Sequence, residues 1–215
     1  MKKWGVVLFT VMLGSSAFAL YDLSPAPWRT DPTGQEPTTY QSWEFTTDAN
    51  PTAPDVDLNP YGTAELTVTG DFMSNTVHYP TLPGFPGHEG IWGYEEDIQV
   101  YLPNSAVANP YKEVWVQITY TASNAPNLYV LPEGDPGQYV FMSLESNVAL
   151  DNGWYHATYS AIVEPNPTFE LNVIRPADCT LYVDDLIIET VCEVPEPATL
   201  AMLGLGALLL RAKRS

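Results

Sequence analysis

Apolar and polar residues alternate one for one in short runs along most of this chain, and that alternation limits its fold more than any other feature. In Glu113–Tyr120, Val114, Val116, Ile118 and Tyr120 fall on one face, while Trp115, Gln117 and Thr119 fall on the other. A period of two suits a strand with one face on a core. No 3.6-residue apolar period persists outside the two termini. Comparable runs are 64–69, 76–79, 97–102, 128–131, 139–145, 154–163, 169–175 and 181–189. Turn signals separate them, among them Pro103-Asn104, Pro132-Glu133-Gly134-Asp135-Pro136-Gly137, Asp151-Asn152-Gly153 and Pro165-Asn166-Pro167. About nine short strands with little helix predict an all-β chain: a single antiparallel β-sandwich, with a jelly roll as the expected form.

The stretch from Ser24 to Pro60 is different. It has many prolines and few strand candidates, yet it carries Trp28, Tyr40, Trp43 and Phe45, so its composition is not that of a disordered linker. It is expected to wrap the sandwich with its aromatics on a sheet, which divides the exported chain into a wrap over 20–63 and a sandwich domain over 64–193. Trp115 on its outward face either contacts a ligand or lies under this wrap, and the wrap is favoured.

Both ends carry targeting features. Lys2 and Lys3 precede the apolar run Val6–Leu13, and Ala17-Phe18-Ala19 fits the small-x-small rule of signal peptidase. Residues 1–19 therefore read as a signal peptide, with Leu20 as the first residue after cleavage. At the other end, Pro195-Glu196-Pro197 is followed by the apolar run Ala198–Leu210 and the basic Arg211-Ala212-Lys213-Arg214. Thirteen residues make roughly 20 Å of helix, short of a bilayer core of about 30 Å. Such a short transmembrane segment suits transient inner-membrane contact and removal by a processing enzyme.

The run Val194-Pro195-Glu196-Pro197-Ala198-Thr199-Leu200, with Leu203-Gly204-Leu205-Gly206 and the basic end, resembles a bacterial PEP-CTERM sorting signal. The resemblance implies recognition by exosortase, in bacteria that make extracellular polysaccharide, and transit to the cell surface or extracellular matrix. It implies no activity. Pro27-Trp28-Arg29, Thr39–Phe45 and Asn59-Pro60-Tyr61-Gly62 are similar to exported proteins of planctomycete-type bacteria that share this tail.

Between the two signals only Arg29, Lys112 and Arg175 are basic, against 25 acids, a net charge of about −22. Such a surface repels nucleic acid and anionic lipid and favours divalent cations. Cys179 and Cys192 flank what reads as one extended strand, so a disulfide between them needs the chain to fold back after Glu189.

Leu181-Tyr182-Val183-Asp184-Asp185-Leu186-Ile187-Ile188 sets two carboxylates in an apolar strand. Strict alternation points them to opposite faces, and a buried carboxylate must be paired, hydrogen-bonded or metal-bound. The pattern resembles the closing strand of carbohydrate-binding-module jelly rolls, which implies that Asp184 or Asp185 helps hold a structural calcium ion. Hydrogen bonding to loop amides is the alternative. Glu95-Glu96-Asp97 is a second acidic cluster from which Glu95 and Asp97 could supply calcium oxygens, or which is simply a solvated loop.

The Pro/Gly-rich segment Tyr79–Tyr94 reads as a loop in which Phe85, Trp92 and Tyr94 could stack on sugar rings while His88 and Glu89 hydrogen-bond hydroxyls. Burial of Trp92 and Tyr94 at a strand start is the alternative. His78, His88 and His156 have no metal-ligand spacing, and no nucleophile elbow or phosphate loop is present. The reading is therefore non-catalytic: a surface protein that binds extracellular polysaccharide, or a structural protein of envelope or matrix without a specific ligand. A glycoside-active enzyme ranks behind both.

Overall fold

The computed structural model describes residues 22–29, 37–69, 76–81, 88–107, 109–178 and 180–193. Among the described residues thirteen strands form two antiparallel sheets. The larger takes β1 (Thr38–Trp43), β2 (Val56–Leu58), β4 (Val77–Thr81), β5 (Glu89–Tyr94), β7 (Tyr111–Thr121), β10 (Ser143–Ala149), β11 (Tyr155–Val163) and β13 (Leu181–Glu193). The smaller takes β3 (Glu65–Val68), β6 (Ile98–Pro103), β8 (Asn127–Pro132), β9 (Val140–Phe141) and β12 (Phe169–Arg175). Among the described residues the only helix is a 3-10 turn at Asp151–Gly153. The protein is an all-β sandwich.

The larger sheet runs β10-β11-β7-β13-β1-β2, and the smaller runs β3-β6-β12-β8-β9. The alternation of β7 is realised: Val114, Val116, Ile118 and Tyr120 lie in the core with Leu66, Val100, Leu102, Val130 and Ile174 of the facing sheet. Burying one such side chain contributes about 1.5–3 kcal/mol.

Residues 38–58, expected within the wrap, supply two strands instead. β1 lies between β13 and β2, pairing Tyr40 with Glu189 on one side and with Leu58 on the other. Its alternation is masked because the inward positions before Trp43 are the polar Thr39 and Gln41. Both are buried, and Thr39 Oγ1 lies 2.8 Å from Thr190 Oγ1 on β13. β5 is hidden in the same way by Gly90 and Gly93.

One end of the interior holds an ion pair. Lys112, inward on β7, and Glu170, inward on β12, are both essentially inaccessible, with Lys112 Nζ 2.6 Å from Glu170 Oε1. Asn104 completes the triad: its Oδ1 accepts from Lys112, and its Nδ2 donates to Glu170 and, at 3.1 Å, to the Pro167 carbonyl. The pair joins the two sheets. Removing one charge strands the other in a dry interior, which costs about 3–5 kcal/mol, whereas replacing both by apolar groups of similar volume is close to neutral. Lys112→Met should therefore destabilise by about that amount in urea melts. The double variant Lys112→Met/Glu170→Leu should recover most of the loss.

Candidate functional site

The outer face of the larger sheet is covered by residues 22–29, which form a strap. On this face the outward pairs of β13 and β7 form successive rows: Glu189 with Trp115, Ile187 with Gln117, and Asp185 with Thr119. The strap crosses them in order. The amide of Ala26 donates to Glu189 Oε2 (3.0 Å), Trp115 Nε1 donates to the Ser24 carbonyl (2.8 Å), and the Ser24 amide donates to Gln117 Oε1 (2.8 Å). Gln117 Nε2 then donates to Asp22 Oδ1 (2.9 Å). Arg29 closes the strap: its guanidinium bridges Glu189 and Asp22 and sits 5.0 Å from the centre of the Tyr40 ring. Trp28 meets Trp115 edge to face at 6.3 Å, so Trp115 lies under the strap.

Beyond the last row the strand changes phase. Leu181 and Val183 face the core, but so do Leu186 and Ile188, and the register with β7 slips between Val183 and Asp185. A β-bulge inserts one residue and resets the alternation. Asp184 and Asp185 therefore both lie on the outer side, not on opposite faces as strict alternation requires. The bulge falls where β13 changes partner. Its free edge pairs with β5 over Leu181–Val183 and with β1 over Leu186–Val191, leaving the two aspartates at the junction.

The two carboxylates fare differently. Asp184 Oδ2 lies 2.5 Å from His88 Nδ1, and the His88 ring stacks on Trp154 with centroids 4.2 Å apart. Burial pushes the Asp184 carboxyl up, and the His88 hydrogen bond pulls it partly back. Two residues after His88, Gly90 passes the chain just beyond β1 at φ +74°, where a Cβ would sit 2.1 Å from the Phe45 carbonyl oxygen. Asp185 is 2% exposed, and neither of its oxygens has a hydrogen-bond partner. Burial first, then the neighbouring Asp184, Glu44, Asp22 and Asp55, raise its carboxyl well above the ordinary range. In the same row Thr119 Oγ1 lies 3.2 Å from His156 Nδ1, and His156 Nε2 is buried without a partner, as is Thr158 Oγ1 in the adjacent Ile187/Gln117 row.

The other residues singled out in sequence are scattered. Asp97 receives two 2.7 Å hydrogen bonds from Arg175, and Glu95 accepts from Thr180 at 3.1 Å. Neither is brought to the aspartate pair, and among the described residues no three His, Cys, Asp or Glu side chains converge on a point that could hold a metal ion. Trp92 is a core residue, 6% exposed, and His88 is buried under the strand junction, so neither offers a face to a sugar. The backbone of Tyr94 pairs with Leu181. Phe85, Ala17, Ala19, Pro195, Glu196, Pro197 and Cys179 lie outside the described residues. β13 runs from Leu181 to Glu193 without the turn a disulfide would need, and Cys192 is a buried free thiol.

Aromatic faces are instead exposed on the outer side of the smaller sheet. Tyr129 on β8 pairs with Phe141 on β9, and Tyr139 joins them; the Tyr139 and Phe141 rings are 25° from parallel with centroids 6.2 Å apart. They are 52% and 72% exposed. Tyr129 packs beneath, 5.5 and 5.9 Å from the two rings, with the Arg175 guanidinium 5.4 Å over its own ring. The run 139–145, expected as one strand, is divided between β9 of the smaller sheet and β10 of the larger, and because Tyr139, Val140, Phe141 and Met142 are all apolar, no alternation in sequence marks which of them stay outside.

Replacing Arg29 by Met leaves the Glu189 and Asp22 carboxylates buried without their cation. A stability loss of about 3 kcal/mol is expected, together with a red shift of tryptophan fluorescence as Trp28 leaves Trp115.

Among the described residues no helix is long and apolar enough to cross a membrane; the run Ala198–Leu210 lies outside them. No curated protein matches the chain. Its C-terminal residues 193–215 match the family described as the PEP-CTERM protein-sorting motif, and the chain thus carries a substrate signal for exosortase that implies export and sorting to the cell surface.

Proposed function

We propose that this protein is a non-catalytic β-sandwich displayed at the cell surface or in the extracellular matrix, where it holds polysaccharide through the Tyr129–Tyr139–Phe141 ledge. The observation that carries this reading is the exposed, near-parallel pair Tyr139 and Phe141 on a sheet otherwise stabilised from beneath. Two flat apolar rings suit the apolar faces of sugars. Exposed patches of this kind mark interaction sites. The Arg175–Asp97 pair beside Tyr129 supplies polar groups for hydroxyls. Signal peptidase acting after Ala19 and exosortase acting near Pro195-Glu196-Pro197 deliver the sandwich to that location.

Two measurements test the reading. Retention on the producing cell's own matrix polysaccharide should fall at least tenfold in Tyr139→Ser/Phe141→Ser, with unchanged melting temperature, and should be indifferent to chelator. Equal retention by the double variant would remove the ledge. Loss of retention on chelation would point to bound calcium, and no retention by the parent would favour a structural role without a ligand. In a host with exosortase, protein recovered from the surface should lack the residues after the Pro-Glu-Pro motif. Full-length protein missing only its signal peptide would contradict sorting by this route.

A further inference from the structure

The triad at one end of the interior joins an amine, a carboxamide and a carboxyl group in a place that water does not reach. Lys112, Asn104 and Glu170 are all buried. Three elements fix them. Asn104 directly follows β6, and its backbone amide donates to the Thr168 carbonyl at 3.0 Å, so it continues β6 alongside β12. Glu170 stands on β12, opposite Leu102 of β6. Lys112 stands on β7 of the other sheet.

The polar atoms of the three side chains are matched one to one. Lys112 Nζ donates to Asn104 Oδ1 and lies 2.6 Å from Glu170 Oε1. Asn104 Nδ2 donates to Glu170 Oε2 and, at 3.1 Å, to the Pro167 carbonyl. One carboxyl group thus spans both nitrogens, with one oxygen on the amine and the other on the amide nitrogen. The two hydrogen bonds from Nδ2 hold the plane of the amide, and the amine waits at its carbonyl. Reactants held in this way need no encounter, which removes much of the entropic part of a barrier.

Proton transfer from Lys112 Nζ to Glu170 Oε1 turns the ion pair into an uncharged amine and an uncharged carboxylic acid, forms that a dry interior does not penalise. The amine then has a lone pair for Asn104 Cγ. As the Nζ–Cγ bond forms, Glu170 passes its proton to Nδ2 and receives a second proton from Nζ. The Cγ–Nδ2 bond breaks and ammonia leaves. One ammonium, one carboxylate and one carboxamide have become one secondary amide, one carboxylic acid and one ammonia. We propose that Lys112 and Asn104 react in this way to form an intramolecular isopeptide bond, with Glu170 as general base toward one nitrogen and general acid toward the other.

The reaction is a single self-modification without turnover. It replaces the ion pair between the sheets by a covalent bond from the end of β6 to the start of β7. The surrounding interior keeps water from the new amide. A protein sent outside the cell gains a link that survives unfolding, which Cys192 as a free thiol does not supply. The losses that the ion pair alone predicts for variants lacking Lys112 are then increased by the loss of a cross-link.

The test is mass spectrometry of the denatured protein, expressed from the full-length gene in an exporting host. The parent should be lighter by one ammonia than the sequence between its observed termini. Trypsin, which needs a free lysine side chain, should leave the Lys112–Glu113 bond uncut. Fragment spectra should place the cross-link between Asn104 and Lys112. Lys112→Met and Asn104→Ala should show no ammonia loss. Glu170→Gln keeps the side-chain length but not the proton carrier, and should retain unreacted Lys112 and tryptic cleavage after it. A parent of undiminished mass that trypsin cuts after Lys112 would overturn the bond, whether or not the variants fold. So would an ammonia loss traced to ring closure at an asparagine with Lys112 still free. Complete cross-linking in Glu170→Gln would overturn the role of Glu170.

Discussion

The antiparallel ladder between β13 and β7, eleven residue pairs long, is the constraint on which the rest of this structure depends. Its inner side lays Leu186 and Ile188 beside Ile118 and Val116 and builds the core. Its outer side presents Glu189, Gln117 and Trp115 to the strap. The other edge of β13 is shared by two strands, β5 and β1, which meet it end to end. A continuous alternation would carry one aspartate into the core at that seam. The bulge moves both outside, so the phase of the strand decides whether this sequence can be buried at all.

Charge is sparse on the positive side, and its placement is structural. One cation holds the two sheets together inside, one fastens the strap outside, and one braces the aromatic ledge on the smaller sheet. The remaining carboxylates are mostly at the surface, where water screens them. The aspartate pair at the strand junction is buried. There, His88 partners one carboxylate and the other stands alone in a position that water does not reach.

The function divides between the ends of the chain and its middle. The tail determines where the protein goes and is read as a linear signal, independent of the fold. The proposed contact with polysaccharide depends on which aromatics the fold leaves in water. Trp92 and His88, in the segment richest in apparent sugar-binding residues, are consumed by packing, because β5 must close the larger sheet against β13. Tyr139 and Phe141 stay outside because β9 is a two-residue edge strand whose outward positions face no other layer.

Alternation in runs such as Glu113–Tyr120 and Phe169–Arg175 was enough to assign the all-β class and most strands, since each of those strands has one apolar face. β1 and β5 were not legible, because buried Thr39 and Gln41 in one and two glycines in the other erase the apolar period. The sorting tail was legible in full, as a signal read in linear order must be. The meeting of Asp184 with His88, 96 residues apart, and the isolation of Asp185 were decided only by tertiary structure. They depend on a bulge at a junction of three strands, and the phase of a bulge is set by which partners flank it, information that no local pattern of residues contains.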